Sequence, residues 1–182
     1  MPGPLTLHPL TLQPIHNRVF RLILSCASCY FGTLFGCSKW DESGNQTVKI
    51  SESICSGRIL KILVEFAYSQ SFVVGADDAF DLLVAADYYG FLSVIEECTN
   101  YIEHKLSHEN CIAIWKFATR YNFWKLEQIV FDFILRDIKD ICGSDDFYNL
   151  EEAEFNQIII NEWLNADDLE IQEATDAWYK HR

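Results

Sequence analysis

The 182-residue chain has few glycines, few basic residues and no glycine-rich loop, and each shortage excludes a class of function. Its 8 glycines form neither a phosphate-binding loop nor a dinucleotide-binding turn. Only 14 lysines and arginines stand against 27 aspartates and glutamates, which gives a formal net charge of −13. Because nucleic-acid phosphates and anionic membrane surfaces both need a basic face, the composition predicts no nucleic-acid partner and no membrane partner.

No uncharged stretch is long enough for a membrane span. The run from Leu22 to Cys37 has 16 residues, whereas a helix needs about 20 to cross a bilayer. A signal peptide is an alternative, with Arg18 and Arg21 before this run. However, the run is interrupted by Ser, Cys and Tyr and begins far from the first residue. We expect a cytoplasmic protein, with the nucleus as a second compartment.

The cysteines and histidines show no metal-binding spacing. The 7 cysteines are odd in number and scattered, and the close pair Cys26 and Cys29 has no second pair to complete a zinc site. His104 and His108 are spaced to share a helix face, but Ser107 looks like a helix start between them, so we interpret both as surface residues. We expect reduced, buried thiols, no metal and no cofactor.

Catalytic motifs are also missing. The chain lacks the GxSxG nucleophile turn. Acids occur as neighbours at 96–97, 145–146 and 151–152, but adjacent residues on a helix do not face each other, so these pairs are interpreted as solvated surface. We predict no catalytic residues, and a small enzyme assembled from distant side chains is kept only as a third hypothesis.

Periodicity predicts a mostly α fold with a small β-sheet (α+β). All 4 prolines lie in residues 1–17, which predicts a disordered or extended leader. The sheet is expected to have two or three strands around residues 47–75, and the second half of the chain to be helical. The predicted organisation is a leader (1–17), an α/β domain (18–105) and a helical domain (106–182).

Several helix boundaries and faces are predicted individually. Ser56 is expected to cap one helix, and the next is expected to start at Gly75 or Ala76 and end at Gly90. Apolar spacing predicts that these residues point inward: Ile59, Leu63, Phe66 or Ala67, Phe80, Leu83, Val84, and the longest stripe of Leu126, Ile129, Val130, Phe133, Ile134, Ile138 and Ile141.

The chain has more large aromatic residues than these helical stripes account for. The remaining ones include Tyr68, Tyr88, Tyr89, Tyr101, Tyr121, Trp124 and Trp163. We assign Trp115 and Trp178 to the core. Trp40 fits no stripe and stands beside Asp41 and Glu42 in a predicted loop. It either anchors a partner, where such a ring can contribute about 2 kcal/mol or more, or folds back on its own core.

Blocks in order along the chain resemble a known family. “LILSCASCYFGTLF” is similar to the “AVLAACSPYFRALF” signature of the BTB (POZ) domain. “ILKILVEFAYSQSFVV” resembles the family's “LLDFIYTG” helix and following strand, and “LLVAADYYGFLSVIEECTNYIEHKL” resembles “LLAAADLLQ…LVEACCEFL”. The BACK domain of kelch-like proteins is resembled by two later blocks, “ENCIAIWKFATRYN” and “LNADDLEIQEATDAW”. A narrower likeness, to one individual kelch-like protein, is carried by “SHENCIAIWKF”. The predicted domains thus become a partial BTB and a partial BACK domain.

The resemblance implies a non-catalytic substrate adaptor of a ubiquitin ligase. In this family the BTB and BACK domains bind the N-terminal helices of cullin-3, while kelch repeats, which this chain lacks, capture the substrate. The implied partner-binding residues are Tyr30, Phe31, Trp40, Glu42 and Tyr68, with Trp40-Asp41-Glu42 as the loop motif. This implication favours the interface role for Trp40.

Departures from the family pattern leave an alternative open. The family's first helix and first two strands would precede residue 18, where the prolines cannot build them. BTB homodimerisation or heterodimerisation is therefore expected to be weakened. Cys29 stands where the signature has proline. The alternative is a BTB-mediated partner, or dominant-negative isoform, of full-length kelch-like proteins that does not engage cullin.

Overall fold

The computed structural model describes residues 5–7, 14–36, 48–50 and 54–181, with side chains from residue 19 to 36 and from 54 to 181. The elements are β1 (Leu5–Leu7), α1 (Pro14–Ala27), α2 (Cys29–Gly36), β2 (Val48–Ile50), α3 (Gly57–Ser69), α4 (Ala79–Tyr89), α5 (Leu92–His104), α6 (Cys111–Arg120), α7 (Trp124–Arg136), α8 (Ile138–Ile141), α9 (Asp145–Tyr148), α10 (Glu152–Ile159) and α11 (Asp168–His181). They form two compact units, Met1–Tyr101 and Ile102–Arg182. The mostly helical class is confirmed.

The small β-sheet predicted from strands around residues 47–75 is not seen among the described residues of that segment. Within the described part of that segment the strand-forming residues are Val48–Ile50, which pair antiparallel with Leu5–Leu7 in a ladder of three residue pairs. A second strand does not follow α3 because Gln70 turns left-handed, with φ 54°, and the Phe72 ring packs edge-on against Phe66 at 5.3 Å. This turn folds the chain back onto its own helix.

Parts of the predicted leader carry regular structure. Leu5–Leu7 forms β1, and α1 begins at Pro14. Proline suits the first position of a helix, because the missing N–H has no intrahelical acceptor there. The prolines of residues 1–17 are therefore compatible with more regular structure than the sequence analysis predicted.

Unit 1 is built around α2, α3 and α4. In it α1 packs on α2 and α3, while α4 packs on both α2 and α3. Ser56 caps α3, as predicted, by accepting the Ile59 N–H at 3.4 Å. Gly90 ends α4, also as predicted, with φ 67°. The predicted start at Gly75 or Ala76 is wrong, because the segment first makes a turn closed by Asp78 N–H to Gly75 carbonyl (3.1 Å) and α4 begins at Ala79.

The inward face of α4 differs from the predicted stripe. Phe80 and Val84 are only half-buried, whereas Leu83 is fully buried as predicted. The buried face also includes Leu82, Ala85, Ala86 and Tyr89. Alanines carry little hydrophobic weight in a sequence pattern, yet their small side chains allow close helix packing, so the face was misplaced.

Unit 2 is an array of helices with its own aromatic core. The α6 helix packs on α7 and α9, and α9 packs on α11. Trp178 stacks on Phe155 with ring centroids 4.2 Å apart, and Trp115 lies 5.3 Å from Phe131. Both tryptophans are buried, which confirms their assignment to the core. None of the helices in the described part of the chain is long and apolar enough to cross a membrane.

Candidate functional site

Two exposed tyrosines meet where α2 begins and α4 ends. Tyr30 lies in the first turn of α2 and is 36% exposed, and Tyr88 lies in the last turn of α4 and is 52% exposed. Their ring centroids are 6.1 Å apart. We call the surface formed by Tyr30 and Tyr88 the tyrosine face. It presents two large rings with polar hydroxyl groups, side by side in unit 1.

Buried rings support the tyrosine face from beneath. The Tyr89 ring packs edge-on against Tyr30 at 5.3 Å and against Tyr88 at 5.0 Å. Phe31 stacks on Tyr89 at 5.9 Å and on Phe35 at 5.7 Å. Offset and edge-to-face contacts of this kind each contribute about 0.5–1.5 kcal/mol beyond simple burial. The two exposed rings are thus fixed by a rigid aromatic layer.

The hydroxyl of Tyr89 is kept neutral by its surroundings. Burial raises the pKa of Tyr89 well above its ordinary value, and the neighbouring Cys55 thiol, which is hydrogen-bonded to it, raises it further. The same burial raises the pKa of Cys55. Neither group therefore ionises near neutral pH, and the layer below the tyrosine face carries no charge there.

A backbone clamp holds the two helix ends together. Ser28, between α1 and α2, donates its hydroxyl proton to the Tyr89 carbonyl at 2.5 Å and accepts the Phe31 N–H at 3.1 Å. The Cys29 N–H donates to the Gly90 carbonyl at 3.2 Å. A Cβ at Gly90 would lie 3.1 Å from the Cys29 Cβ, and the φ of 67° is one that residues with a Cβ rarely adopt, so glycine is favoured at this approach. The clamp sets the spacing of the two exposed rings.

The structure separates the sequence-predicted site residues. Tyr30 is exposed, but Phe31 is fully buried, so the expectation that the Phe31 ring itself contacts a partner needs correction. Consecutive helical residues point about 100° apart, so the packing of Phe31 on the core leaves Tyr30 turned toward solvent. The loop residues Trp40, Asp41 and Glu42 lie outside the described residues. Their roles stay predictions.

Tyr68 lies in the last turn of α3 in unit 1. It is 49% exposed, and its ring is 5.8 Å from that of Phe20 in α1. Partial burial raises the pKa of its hydroxyl. Together with Phe72 and Val73 it lines an open groove at the end of α3. Tyr68 is accessible to a partner, as its predicted role requires.

Tyr88 was missed as a site residue, although a signal for it existed. The sequence reads Tyr88-Tyr89-Gly90 at the end of a helix. Once Tyr89 is placed on the core face, Tyr88 lies about 100° around the helix from it and becomes a candidate for exposure. That inference needs the inward face of α4, which the sequence interpretation had misplaced.

The histidines and acids form no metal site where the structure describes them. Across the described side chains no three of His, Cys, Asp or Glu are grouped to hold an ion. His108 instead lies with its Nε2 3.2 Å from Asp137 Oδ2 and its ring 5.5 Å from Phe133. It is partly exposed, as the surface interpretation predicted.

The cysteines are more varied than expected. Cys55, Cys98 and Cys111 are buried and Cys142 is half-buried, but Cys26 and Cys29 are exposed. The prediction of buried thiols is therefore wrong for this pair. Burial raises the pKa of Cys98 to about 12 and that of Cys111 to about 11. Those two thiols are unreactive at neutral pH.

Comparison with known proteins matches both halves of the chain. The BTB/POZ domain family matches residues 11–106, and the family “BTB And C-terminal Kelch” (BACK) matches residues 111–182. The relatives described below are much longer than this chain. Kelch-like protein 28 of Mus musculus is 28% identical over 173 residues, which cover 94% of this chain and 30% of the relative.

Two further relatives come from a virus and a fish. Kelch repeat and BTB domain-containing protein 1 of Ectromelia virus (strain Moscow) is 33% identical over 145 residues, covering 80% of this chain and 25% of the relative. Kelch-like protein 26 of Danio rerio is 27% identical over 165 residues, which cover 90% of this chain and 27% of the relative. The chain spans less than a third of the length of these relatives. The narrower likeness to one individual member stays a prediction.

Proposed function

The chain belongs to the kelch-like BTB–BACK family, and from that premise we propose that it is a non-catalytic adaptor that binds cullin-3 through the tyrosine face. One observation carries this proposal. Two exposed rings, Tyr30 and Tyr88, lie 6.1 Å apart on a buried aromatic layer. The first of them belongs to the helix through which the family resemblance implies cullin contact.

The chemistry of the tyrosine face suits a helical partner. Tyrosine is a strong interface anchor, because its ring offers a large apolar area and loses little conformational entropy on binding. Its hydroxyl can pair with polar groups at the edge of a hydrophobic groove. The clamp at Ser28 and Gly90 fixes both rings before binding, which lowers the cost of ordering them. An amphipathic helix of the partner would lie across the two rings.

Three further residues extend the proposed interface. The resemblance implies that Trp40 and Glu42 contact cullin-3 from the loop after α2, and Tyr68 from the end of α3. Tyr68 is exposed, which supports its part in the proposal. Phe31 is assigned a supporting role, because its buried ring stacks on Tyr89 beneath the tyrosine face.

Binding of the whole chain to the N-terminal region of cullin-3 tests the tyrosine face. We expect Tyr30→Ala and Tyr88→Ala each to weaken the affinity about 30-fold, which corresponds to about 2 kcal/mol for an interface anchor. The matched control is Tyr179→Ala, because Tyr179 is also exposed, at 60%, but lies on α11 in unit 2. Unchanged affinity in both test variants, with circular dichroism showing intact folding, would refute the proposed site.

The loop is tested by a second variant. We expect Trp40→Ala combined with Glu42→Ala to abolish capture of the cullin-3 fragment, because it removes the ring and the carboxylate together. The combination Asp145→Ala with Asp146→Ala, in α9 of unit 2, is the control for the loss of surface charge. Intact capture by the loop variant would remove these residues from the proposal while leaving the tyrosine face to be judged separately.

A second candidate function is a partner of full-length kelch-like proteins that does not engage cullin. The groove beside Tyr68 favours it, since Val73 at its edge is 91% exposed and apolar. The mass in solution of the chain mixed with a full-length kelch-like protein tests this candidate. It predicts a mixed complex that Val73→Asp disrupts and Ile160→Asp, at an exposed position of unit 2, leaves intact. Separate elution of the two wild-type chains would contradict it.

A further inference from the structure

An open groove lies on unit 2 among α8, α10 and α11. Its volume is about 330 Å³, near the lower end of the roughly 300–1,000 Å³ that is typical of ligand pockets. Most of its lining side chains are apolar, among them Ile138, Cys142, Ile159, Leu164, Ile171 and Ala174. A groove of this size and lining suits a few apolar side chains of a partner. We call it the unit 2 groove.

Acidic residues dominate the part of the sequence that forms the unit 2 groove. Residues 140–179 contain 12 of the chain's 27 aspartates and glutamates and none of its 14 lysines and arginines or 5 histidines. Of the described residues that line the groove, only Lys139 is basic, and its Nζ lies 2.7 Å from Glu170 Oε1. Glu173, also in the lining, is exposed and has no ion pair with any described residue. The groove is therefore complementary in charge to a basic partner.

Hydrogen bonds hold the connection between α10 and α11, which forms part of the groove wall. Asn165 donates its backbone N–H to the Leu135 carbonyl and its side-chain amide to the Arg136 carbonyl, both at 2.9 Å. At the start of α11 the Glu170 N–H donates to the Asp167 carboxylate, and the Asp167 N–H donates to the Glu170 carboxylate, again at 2.9 Å. The wall is thus formed before a partner arrives, which lowers the cost of ordering it on binding.

Exposed apolar residues adjoin the lining residues in the sequence. Trp163 precedes Leu164 and is 78% exposed, and Leu169, which precedes Glu170, is also exposed. An exposed indole is a strong interface anchor, and its face also attracts the cation of a lysine or arginine. The acid beside it, Glu162, is exposed as well. Trp163 can therefore contact both the apolar and the basic side chains of one partner.

The acidic charge argues against other occupants of the unit 2 groove. Nucleic-acid phosphates and anionic membrane surfaces would be repelled. A second copy of the chain carries the same net charge of −13 and would be repelled too. Most lining residues lie on helices, whose backbone groups are already bonded, so an extended strand would find few backbone partners. A helix brings its own backbone hydrogen bonds and needs only a groove for its apolar face.

We propose that the unit 2 groove docks a basic amphipathic helix of a partner protein. Apolar side chains along one face of that helix enter the groove, and flanking lysines or arginines lie beside Glu173 and over the Trp163 ring. The groove shares no lining residue with the tyrosine face. The inference therefore goes beyond cullin-3 binding and does not depend on it.

Calorimetric titration of the whole chain with synthetic peptides tests the proposal. The probe is a peptide of leucine and lysine, about four helical turns long, with its leucines along one helical face. Two matched probes are the same peptide with glutamate in place of lysine, and oligolysine of equal length. We expect the leucine–lysine peptide to bind and both matched probes to bind at least about tenfold more weakly, because the groove needs apolar side chains and positive charge together.

Variants of the chain locate the binding of the leucine–lysine peptide. Glu173→Lys and Trp163→Ala, both at exposed positions, should each weaken it at least about tenfold. Glu109→Lys is the control for charge, because Glu109 is an exposed acid of unit 2 that does not line the groove. Trp124→Ala is the control for the ring, because Trp124 on α7 is 68% exposed. Both controls should bind as the wild type does.

Several results would overturn the proposal. The wild-type chain could fail to bind the leucine–lysine peptide, or oligolysine could bind equally well, which would show attraction by charge alone. Equal binding of the leucine–glutamate peptide would remove the argument from charge. Equal effects of Glu173→Lys and Glu109→Lys, with circular dichroism showing intact folding, would place the peptide elsewhere. A dimer of the chain alone in light scattering, lost in Glu173→Lys, would make a second copy the occupant. None of these measurements involves cullin-3, so failure here is distinguishable from failure of the tyrosine face.

Discussion

Adjacent residues in α2 have opposite roles, and this contrast defines the candidate site. Tyr30 faces solvent, while Phe31 lies in the core against Tyr89 and Phe35. The sequence alone groups them as one aromatic pair. Only the packing of α2 on α4 shows which ring a partner could reach. To predict individual site residues, one must therefore know which face of each helix is buried.

Gly90→Ala should destabilise unit 1. Gly90 has φ 67°, and a Cβ there would lie 3.1 Å from the Cys29 Cβ. Left-handed backbone costs a residue with a Cβ about 1–2 kcal/mol. We expect a loss of at least that amount in the free energy of unfolding, measured by urea denaturation. Gly143→Ala is the control, because a Cβ at Gly143 meets no atom within 4 Å. An equal loss in both variants would contradict this role of Gly90.

Ser28→Ala should also weaken the clamp. The Ser28 hydroxyl donates to the Tyr89 carbonyl and accepts the Phe31 N–H, and the residue is buried. Removing it leaves both backbone groups without this partner, at a cost of about 1–3 kcal/mol. Thermal unfolding of the variant should show a lower midpoint. Ser93→Ala, at an exposed position of α5, should change the midpoint much less. A wild-type midpoint for Ser28→Ala would show that the clamp is unimportant.

At the element scale, helix interiors were predicted better than their connections. The stripe of Ile59, Leu63 and Phe66 identified α3, because large apolar side chains at helical spacing give a strong signal. Ser56 and Gly90 were recognised because their cap chemistry is local. The region after α3 was misinterpreted as a strand. Its path is decided by the contact of Phe72 with Phe66, which no local pattern reports.

The junction of α7 and α8 should respond to acid. Arg136 donates two hydrogen bonds to Asp137, at 2.8 and 3.1 Å, and holds the pKa of that carboxyl below its usual range, with His108 assisting. The folded-state pKa is depressed, so the contribution is present at neutral pH and lost as the pH falls through the folded pKa. We expect Asp137→Asn to lower stability at neutral pH by less than about 1 kcal/mol, as for a surface pair.

Unfolding free energies measured across the acid range check this prediction. The difference between wild type and Asp137→Asn should vanish below the folded-state pKa of Asp137, where the wild-type carboxyl is protonated. Asp140→Asn, at a nearby exposed acid of α8, is the control and should show little difference at neutral pH. A stability difference that grows on acidification would have the wrong sign for the proposed interaction.

At the scale of the whole molecule, the chain consists of two units with separate cores. Unit 1 is centred on aliphatic and aromatic residues of α2 to α4, and unit 2 on the stacked rings of Phe155 and Trp178. The family matches cover residues 11–106 and 111–182. The family was therefore recognisable from the order of sequence blocks, which fall on helices of both units.

The candidate site was recognisable only in part. Tyr30 and Tyr68 were identified through the family resemblance, and both are exposed. Tyr88 was not identified, because its exposure depends on how Tyr89 packs between α2 and α4. Which side chains are exposed depends on how the helices pack. The spacing of residues in the sequence predicts exposure only for a helix whose inward face is already known.

Calorimetric titration of the whole chain with the N-terminal region of cullin-3 tests the central claim most directly. Wild type and Tyr179→Ala are predicted to form the same complex, and the double variant Tyr30→Ala/Tyr88→Ala is predicted to bind at least about 30-fold more weakly. Absence of binding by the wild-type chain, or equal affinity of a folded double variant, would contradict the account of the tyrosine face as a cullin-3 docking surface.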